Sequence, residues 1–215
     1  MTHPRWSVWA GISAMVGGGL AILLTVPFAA AYFRAYPGFD PTPIWLAALQ
    51  PIVRPLLSFA QPIAVYNTYG RIYDLVYILF LPAALALHHL HRPLDSRLEK
   101  IAFWLMIVGL LASFVGVAGD YWADGSGFVL EFIGLFILAT GATLSGIAFL
   151  RSRILPRWAS WLMLLCLPGY FIWFILVGHI PSGPSFGIAL AYIGLGWVLL
   201  LGKYTIPHVQ DQRAA

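Results

Sequence analysis

The sequence predicts an all-α fold: a polytopic transmembrane helical bundle of six spans with an extracytoplasmic, Pro-rich interfacial cap, forming one integral membrane domain over residues 1–215. Three observations carry this expectation. Of the 215 residues, 60% are hydrophobic and only 9% charged, whereas a soluble domain carries about 25% charge. The apolar residues gather into runs of spanning length, and about 20 residues of helix cross the bilayer core. Inside lipid each segment must satisfy its own backbone N–H and C=O groups, so runs of this kind are helical.

The first span covers 7–32. Its uncharged stretch from Trp6 to Phe33 is longer than the roughly 7–15-residue core of a signal peptide, so the cleavage-like "AAA" at 29–31 is read as part of a retained helix. Residues 33–70 form the cap. Within it, "PIWLAALQPIVRPLLSFAQPIAVY" (43–66) is long enough to cross, but it holds Pro51, Pro55, Pro62, Arg54 and two Gln. Proline removes a backbone donor and clashes with the carbonyl four residues back. Broken helices lying in the interface or folded over the bundle on its outer side, with bends near Pro51, Pro55 or Pro62, are therefore expected. The second span, 72–89, contains Pro82, which should kink it or free a carbonyl. The remaining spans are 101–119, 128–150, 158–178 and 185–202.

Charge sets the expected orientation. The loops "HRPLDSRLEK" (91–100) and "RSRILPR" (151–157) carry three basic residues each. The positive-inside rule puts them, and both termini, in the cytoplasm of a cell whose cytoplasmic (inner) membrane holds the protein. This arrangement leaves nine Lys and Arg inside and three outside. It also accounts for a repeated phrase. "PRWSVW" (4–9) and "PRWASW" (156–161) each open a cytoplasmic helix end, with Pro at the first turn and two Trp at i, i+3 at headgroup depth. Loose matches between 96–106 and 152–163 also raise a duplicated hairpin, with spans three–four and five–six as its copies.

Few residues can carry chemistry. The outer ends collect Arg71, Asp74, Asp120, Asp124, Glu131 and His179, the candidate ligand-binding set. Arg71 and Asp74 are spaced to pair on one helix face. Glu131 stands out because it lies inside an apolar run, sharing or bordering a face with Gly134, Gly141, Ala142 and Ser145. Small residues mark close helix packing, so its carboxyl should face the bundle, within hydrogen-bond or water-bridged reach of a polar side chain from another span or the cap. Ionisable groups at that depth are functional candidates by default; the structural alternative is a carboxyl bonded to Arg71, Arg54, a Tyr or a Trp. The tyrosines of "YNTYGRIYDLVY" (66–77) could line an outer pocket, but an interfacial aromatic belt is the expected role. "HHLH" (88–91) offers His88, His89 and His91 as ligands for haem or chlorophyll, and His88 with His91 as weak metal ligands, but no paired axial partner is apparent. No cofactor is expected. The lone Cys166 excludes an intrachain disulfide, and the dispersed net charge of +4 does not suit nucleic acid. Metalloprotease, hydrolase and phosphate-loop motifs are absent.

The expected function is a non-enzymatic membrane protein that binds or transports a small ligand or ion at an outward-facing site near Glu131, with membrane lipids as its surroundings. Two alternatives stay open. One is an accessory subunit partnered with other membrane proteins, pigment or electron-transfer complexes included. The other is a membrane enzyme using Glu131 with His179 or Asp120 as acid and base.

Overall fold

A computed structural model describes residues 5–38, 43–91, 96–123 and 125–205. Among these there are eight helices and no strand: α1 Arg5–Ala35, α2 Ile44–Leu57, α3 Pro62–His91, α4 Arg97–Trp122, α5 Phe128–Ser152, α6 Arg157–Leu164, α7 Cys166–Val177 and α8 Ser182–Leu201. Five are long and apolar enough to cross a membrane, and α6 with α7 makes a sixth if the bent pair counts as one span.

The contacts between helix ends sort the molecule into two ends. At one, Trp6 packs on His89, His88 bonds Glu99, His91 meets Phe149, and Trp158 of α6 lies against Gly194 of α8. The two Trp-bearing starts, Arg5 and Arg157, thus share an end with the described basic positions of the 91–100 and 151–157 loops. At the other end, Tyr66 bonds Tyr121, Trp122 bonds Asp74, and Trp45 bonds the Leu176 carbonyl.

Three expectations need correction. The second span is longer than 72–89. α3 begins at Pro62, because the Tyr-rich segment 66–77 folds rings inward; Tyr66 and Tyr73 are both buried. The helix runs uninterrupted through Pro82, which leaves the Ile78 carbonyl without its helical donor as expected; the next carbonyl, that of Leu79, accepts the Ser13 hydroxyl of α1 at 2.7 Å. The region 43–66 is broken as expected, at 58–61 just before Pro62, but not at the other two prolines: Pro51 and Pro55 sit inside α2. Each proline deprives the carbonyl four residues back of its donor, here those of Ala47 and Pro51. Ala47, Pro51 and Pro55 follow one another at i, i+4 and are all exposed, so the affected carbonyls lie on the outer face while Val53 and Leu57 pack inward. The α2 C-terminus is held by Arg34, which donates to the Leu57 carbonyl, and by the Tyr69 hydroxyl, which donates to the Leu56 carbonyl at 2.9 Å.

The third correction concerns the fifth span. It is not one helix but two, α6 and α7, meeting at 54° around Leu165. Pro168 lies three residues past the break. It cannot donate to the Leu164 carbonyl, and its ring would collide with that carbonyl in a straight helix. One side chain of α5 repairs the break. The Thr143 hydroxyl donates to the Leu164 carbonyl (3.2 Å) and accepts from the Leu167 N–H (3.0 Å). Where no water substitutes, both groups would otherwise be orphaned. Thr143→Val, equal in shape, is therefore expected to cost about 1–3 kcal/mol, read as a lower melting temperature in detergent. Thr143→Ser should retain most of the wild-type value.

The tightest pairing in the bundle is α4 on α5. Met106 meets Gly141, Gly109 meets Leu138, Ser113 meets Gly134 and Gly116 meets Glu131. The α4 positions advance by three, four and three residues while the α5 positions retreat by the same steps, the spacing of an antiparallel helix seam. A Cβ on Gly116 would sit 2.3 Å from the backbone nitrogen of Glu131, so only glycine permits this approach. Gly116→Ala is expected to destabilise by about 1–3 kcal/mol through forced separation of the helices. Gly19→Ala, where an added Cβ meets nothing within 4 Å, should melt like wild type.

Candidate functional site

The end formed by the α1 C-terminus, the α3 N-terminus, the α4–α5 turn and the α7–α8 turn encloses a cleft of about 790 Å³. α1 contributes Tyr32, with Tyr36 just past its end; α3 contributes Ile63, Tyr66 and Asn67; the last turn of α4 contributes Asp120, the α4–α5 turn Gly125 and the start of α5 Phe128. Phe174 and residues 178–180 close the remaining side. The helical period explains the cluster: Tyr32 with Tyr36, and Tyr66 with Tyr69 and Tyr73, repeat at i, i+3, i+4 or i+7 and so share inward faces.

A hydrogen-bonded chain forms the inner wall. The first turn of α8 presents Ser182, whose Oγ lies 2.9 Å from Nδ1 of His179. Nε2 of His179 lies 3.3 Å from the Tyr66 hydroxyl, which is 2.8 Å from that of Tyr121. Burial in apolar surroundings pushes the His179 imidazole down to about 3, so the ring is neutral at physiological pH. A neutral imidazole offers one donor and one acceptor, which matches its two contacts. The Tyr121 ring reaches this chain because Gly70 leaves room for it: a Cβ there would lie 2.1 Å from the ring.

Glu131 sits deeper. It is fully buried, as expected for a residue on a small-residue face, but neither carboxyl oxygen has a hydrogen-bond partner among the described residues. Of the two contacts expected, direct or water-bridged, the direct one is thus not made among the described residues. The reason is the seam. Backbone contact with Gly116 fixes where the carboxyl points, while the neighbouring hydroxyls of Tyr66 and Tyr121 are engaged with each other. The hydroxyls of Tyr66, Tyr73, Tyr77, Tyr121 and Tyr170 all lie within electrostatic range of the carboxyl, as do Asp74 and Asp120. Two of these, Tyr73 and Tyr77, also lack a well-formed bond, with Ser185 facing both.

The other predicted residues divide. Asp120 lines the cleft and His179 forms its wall, but neither hydrogen-bonds Glu131. Arg71 and Asp74 do not form the expected pair. Arg71 Nε donates to the Tyr121 carbonyl at 2.9 Å and its guanidinium lies over the Trp122 ring at 4.7 Å, while Asp74 accepts from Trp122 Nε1 at 2.9 Å. Trp122, placed between them by the end of α4, takes both. Asp124 lies outside the described residues. The three histidines of 88–91 turn toward different helices. His88 bonds Glu99 at 2.9 Å and stacks on Phe103, His89 meets Trp6, and His91 packs on Phe149. No three His, Cys, Asp or Glu converge as metal ligands among the described residues. The aromatic-belt expectation for 66–77 does not account for the buried Tyr66, and Tyr32, Tyr36 and Tyr121 are not among the sequence candidates. Their inward periodicity is the signal that could have found them.

Comparison with protein-family models, with curated proteins and with solved structures finds no match to the chain.

A buried carboxyl without a partner is a stability cost. Glu131→Met, similar in volume and free of that cost, is expected to raise the melting temperature, a gain of about 1–3 kcal/mol. A fall of that size would show that the carboxyl is a structural element with a bonded partner.

Proposed function

We propose that this protein is an integral membrane protein that binds or transports a small ligand at an outward-facing site, the cleft above Glu131. The observation that carries this reading is the pairing of a drug-sized aromatic cleft with a deeper, fully buried and unpartnered carboxyl. Ligand pockets are mostly apolar concavities with a few convergent polar groups, and ionisable groups in unusual surroundings collect at functional sites. A native structure that tolerates an uncompensated carboxyl has a reason beyond packing.

In this reading the two basic loops and both termini face the cytoplasm, and the cleft opens to the opposite side. The two-ended sorting of contacts supports it, since the described positions of both basic loops lie at the end away from the cleft. Glu131 would carry a proton or take a counter-charge as the ligand arrives, and the Tyr66–His179–Ser182 chain would hold the wall in one geometry. Direct acid–base catalysis by Glu131 with His179 or Asp120 is a weaker reading, because neither lies within hydrogen-bond distance of it.

A thermal-shift survey of small organic cations, anions and neutral solutes on purified protein tests the site. Compounds that stabilise the wild type should lose that effect in Glu131→Gln, which should still insert and fold. No stabilising compound, or equal stabilisation of both proteins, would overturn the reading.

Orientation has its own test in intact cells, in a Cys166→Ser background. Cysteines at Ser58 and Ser126, both exposed, should react with an impermeant maleimide, and one at Arg97 should not. Ser182 is unsuitable as a reporter because it is buried against His179. Labelling at Arg97 from outside would invert the topology.

A further inference from the structure

The cleft has a sign. Its named lining includes one carboxylate, Asp120, and no Lys or Arg. The two arginines nearest in the chain are held elsewhere: Arg34 on the Leu57 carbonyl, and Arg71 on the Tyr121 carbonyl and the Trp122 ring. His179 is neutral, so the wall contributes no positive charge.

The aromatic residues add to this. Tyr32, Tyr36 and Tyr66 touch pairwise, with ring centroids 5.3, 5.6 and 5.7 Å apart. Tyr36 stands at 89° to Tyr66 and Tyr32 at 47° to Tyr36. They form a corner of three non-parallel faces and not a flat stack. Aromatic faces carry negative potential and attract cations, most strongly those that shed water easily. The volume far exceeds an inorganic ion, and metal-ligating groups do not converge among the described residues. An organic cation with apolar substituents satisfies both the corner and the remaining walls, which include Ile63, Phe128 and Phe174.

We propose that the cleft selects a lipophilic organic monocation, its charge facing the Tyr32–Tyr36–Tyr66 corner and the Asp120 carboxylate. The inference rests on the reading of this cleft as the ligand site, and it names the class of ligand.

Tetraphenylphosphonium and tetraphenylborate are matched in shape and opposite in charge, which makes them the probes. Binding is measured by equilibrium dialysis with the full chain in phosphatidylcholine nanodiscs, counting only the component that excess unlabelled ion displaces and subtracting empty discs. The phosphonium should bind saturably, and the borate at least tenfold more weakly. Asp120→Asn should weaken phosphonium binding by about tenfold, the scale of one partly exposed charge pair. Tyr36→Leu, at the exposed mouth, should weaken it by about three- to tenfold, the scale of one cation–π contact. Melting temperatures of both variants report whether they fold, and the mouth position of Tyr36 provides an arm that does not disturb the core. Equal or tighter borate binding, or phosphonium binding unchanged in both folded variants, would overturn the charge assignment while leaving the cleft a ligand site. Saturable binding of neither ion would overturn this inference, and the reading of the cleft would then stand or fall on the wider survey with Glu131→Gln.

Discussion

The backbone approach of α4 to α5 at Gly116 and Glu131 is the constraint on which the site depends. A helix pair brought this close by glycine cannot rotate without collision, so the direction of every side chain on the facing surfaces is fixed. Glu131 is held between helices by its own backbone contact, not by a salt bridge. Its carboxyl is therefore placed by packing and left chemically free. In a membrane bundle, where apolar burial between helices gains little over lipid, such close van der Waals contact is the principal source of helix association. The same seam that stabilises the fold supplies the geometry of the candidate site.

A second device compensates for irregular backbone. The bend at Leu165 would orphan a carbonyl and an N–H, and Thr143 satisfies both. The bend in turn sends α7 toward the cleft end, where Phe174 and His179 join the wall. The Ser182–His179–Tyr66–Tyr121 chain then ties the α7–α8 turn to α3 and α4. Thus two of the structure's polar interactions, one at a helix break and one at a helix turn, govern the shape of the cavity. The apolar contacts around them provide bulk and exclude water.

Electrostatic character follows from what the walls omit. Aromatic rings, a neutral imidazole and a carboxylate line the cleft, and the adjacent arginines are directed to carbonyls and to Trp122. Placing cationic side chains outside the cavity leaves a negative interior without several exposed acids at its surface. Low surrounding dielectric strengthens the effect of each remaining charge.

Much of the architecture is legible in the sequence. Hydropathic runs identify membrane helices because lipid forbids unsatisfied backbone, and the paired "PRW" phrases mark helix starts because Pro and Trp suit those positions. Glu131 is identifiable as buried, since a carboxyl amid small residues at one helical face has few other places to go. Only the tertiary structure decided the rest. Proline content alone does not distinguish the tolerated Pro51 and Pro55 of α2 from the break before Pro168. The outcome depends on which face the lost donor lies on and on whether a hydroxyl from another helix stands nearby. Local spacing points to an Arg71–Asp74 pair, but Trp122, 48 residues from Asp74 in sequence, intervenes between them. The tyrosine corner joins residues from α1 and α3, and no local pattern records which helices become neighbours. Periodicity shows which face of a helix turns inward; the identity of the facing surface is fixed only when the helices pack.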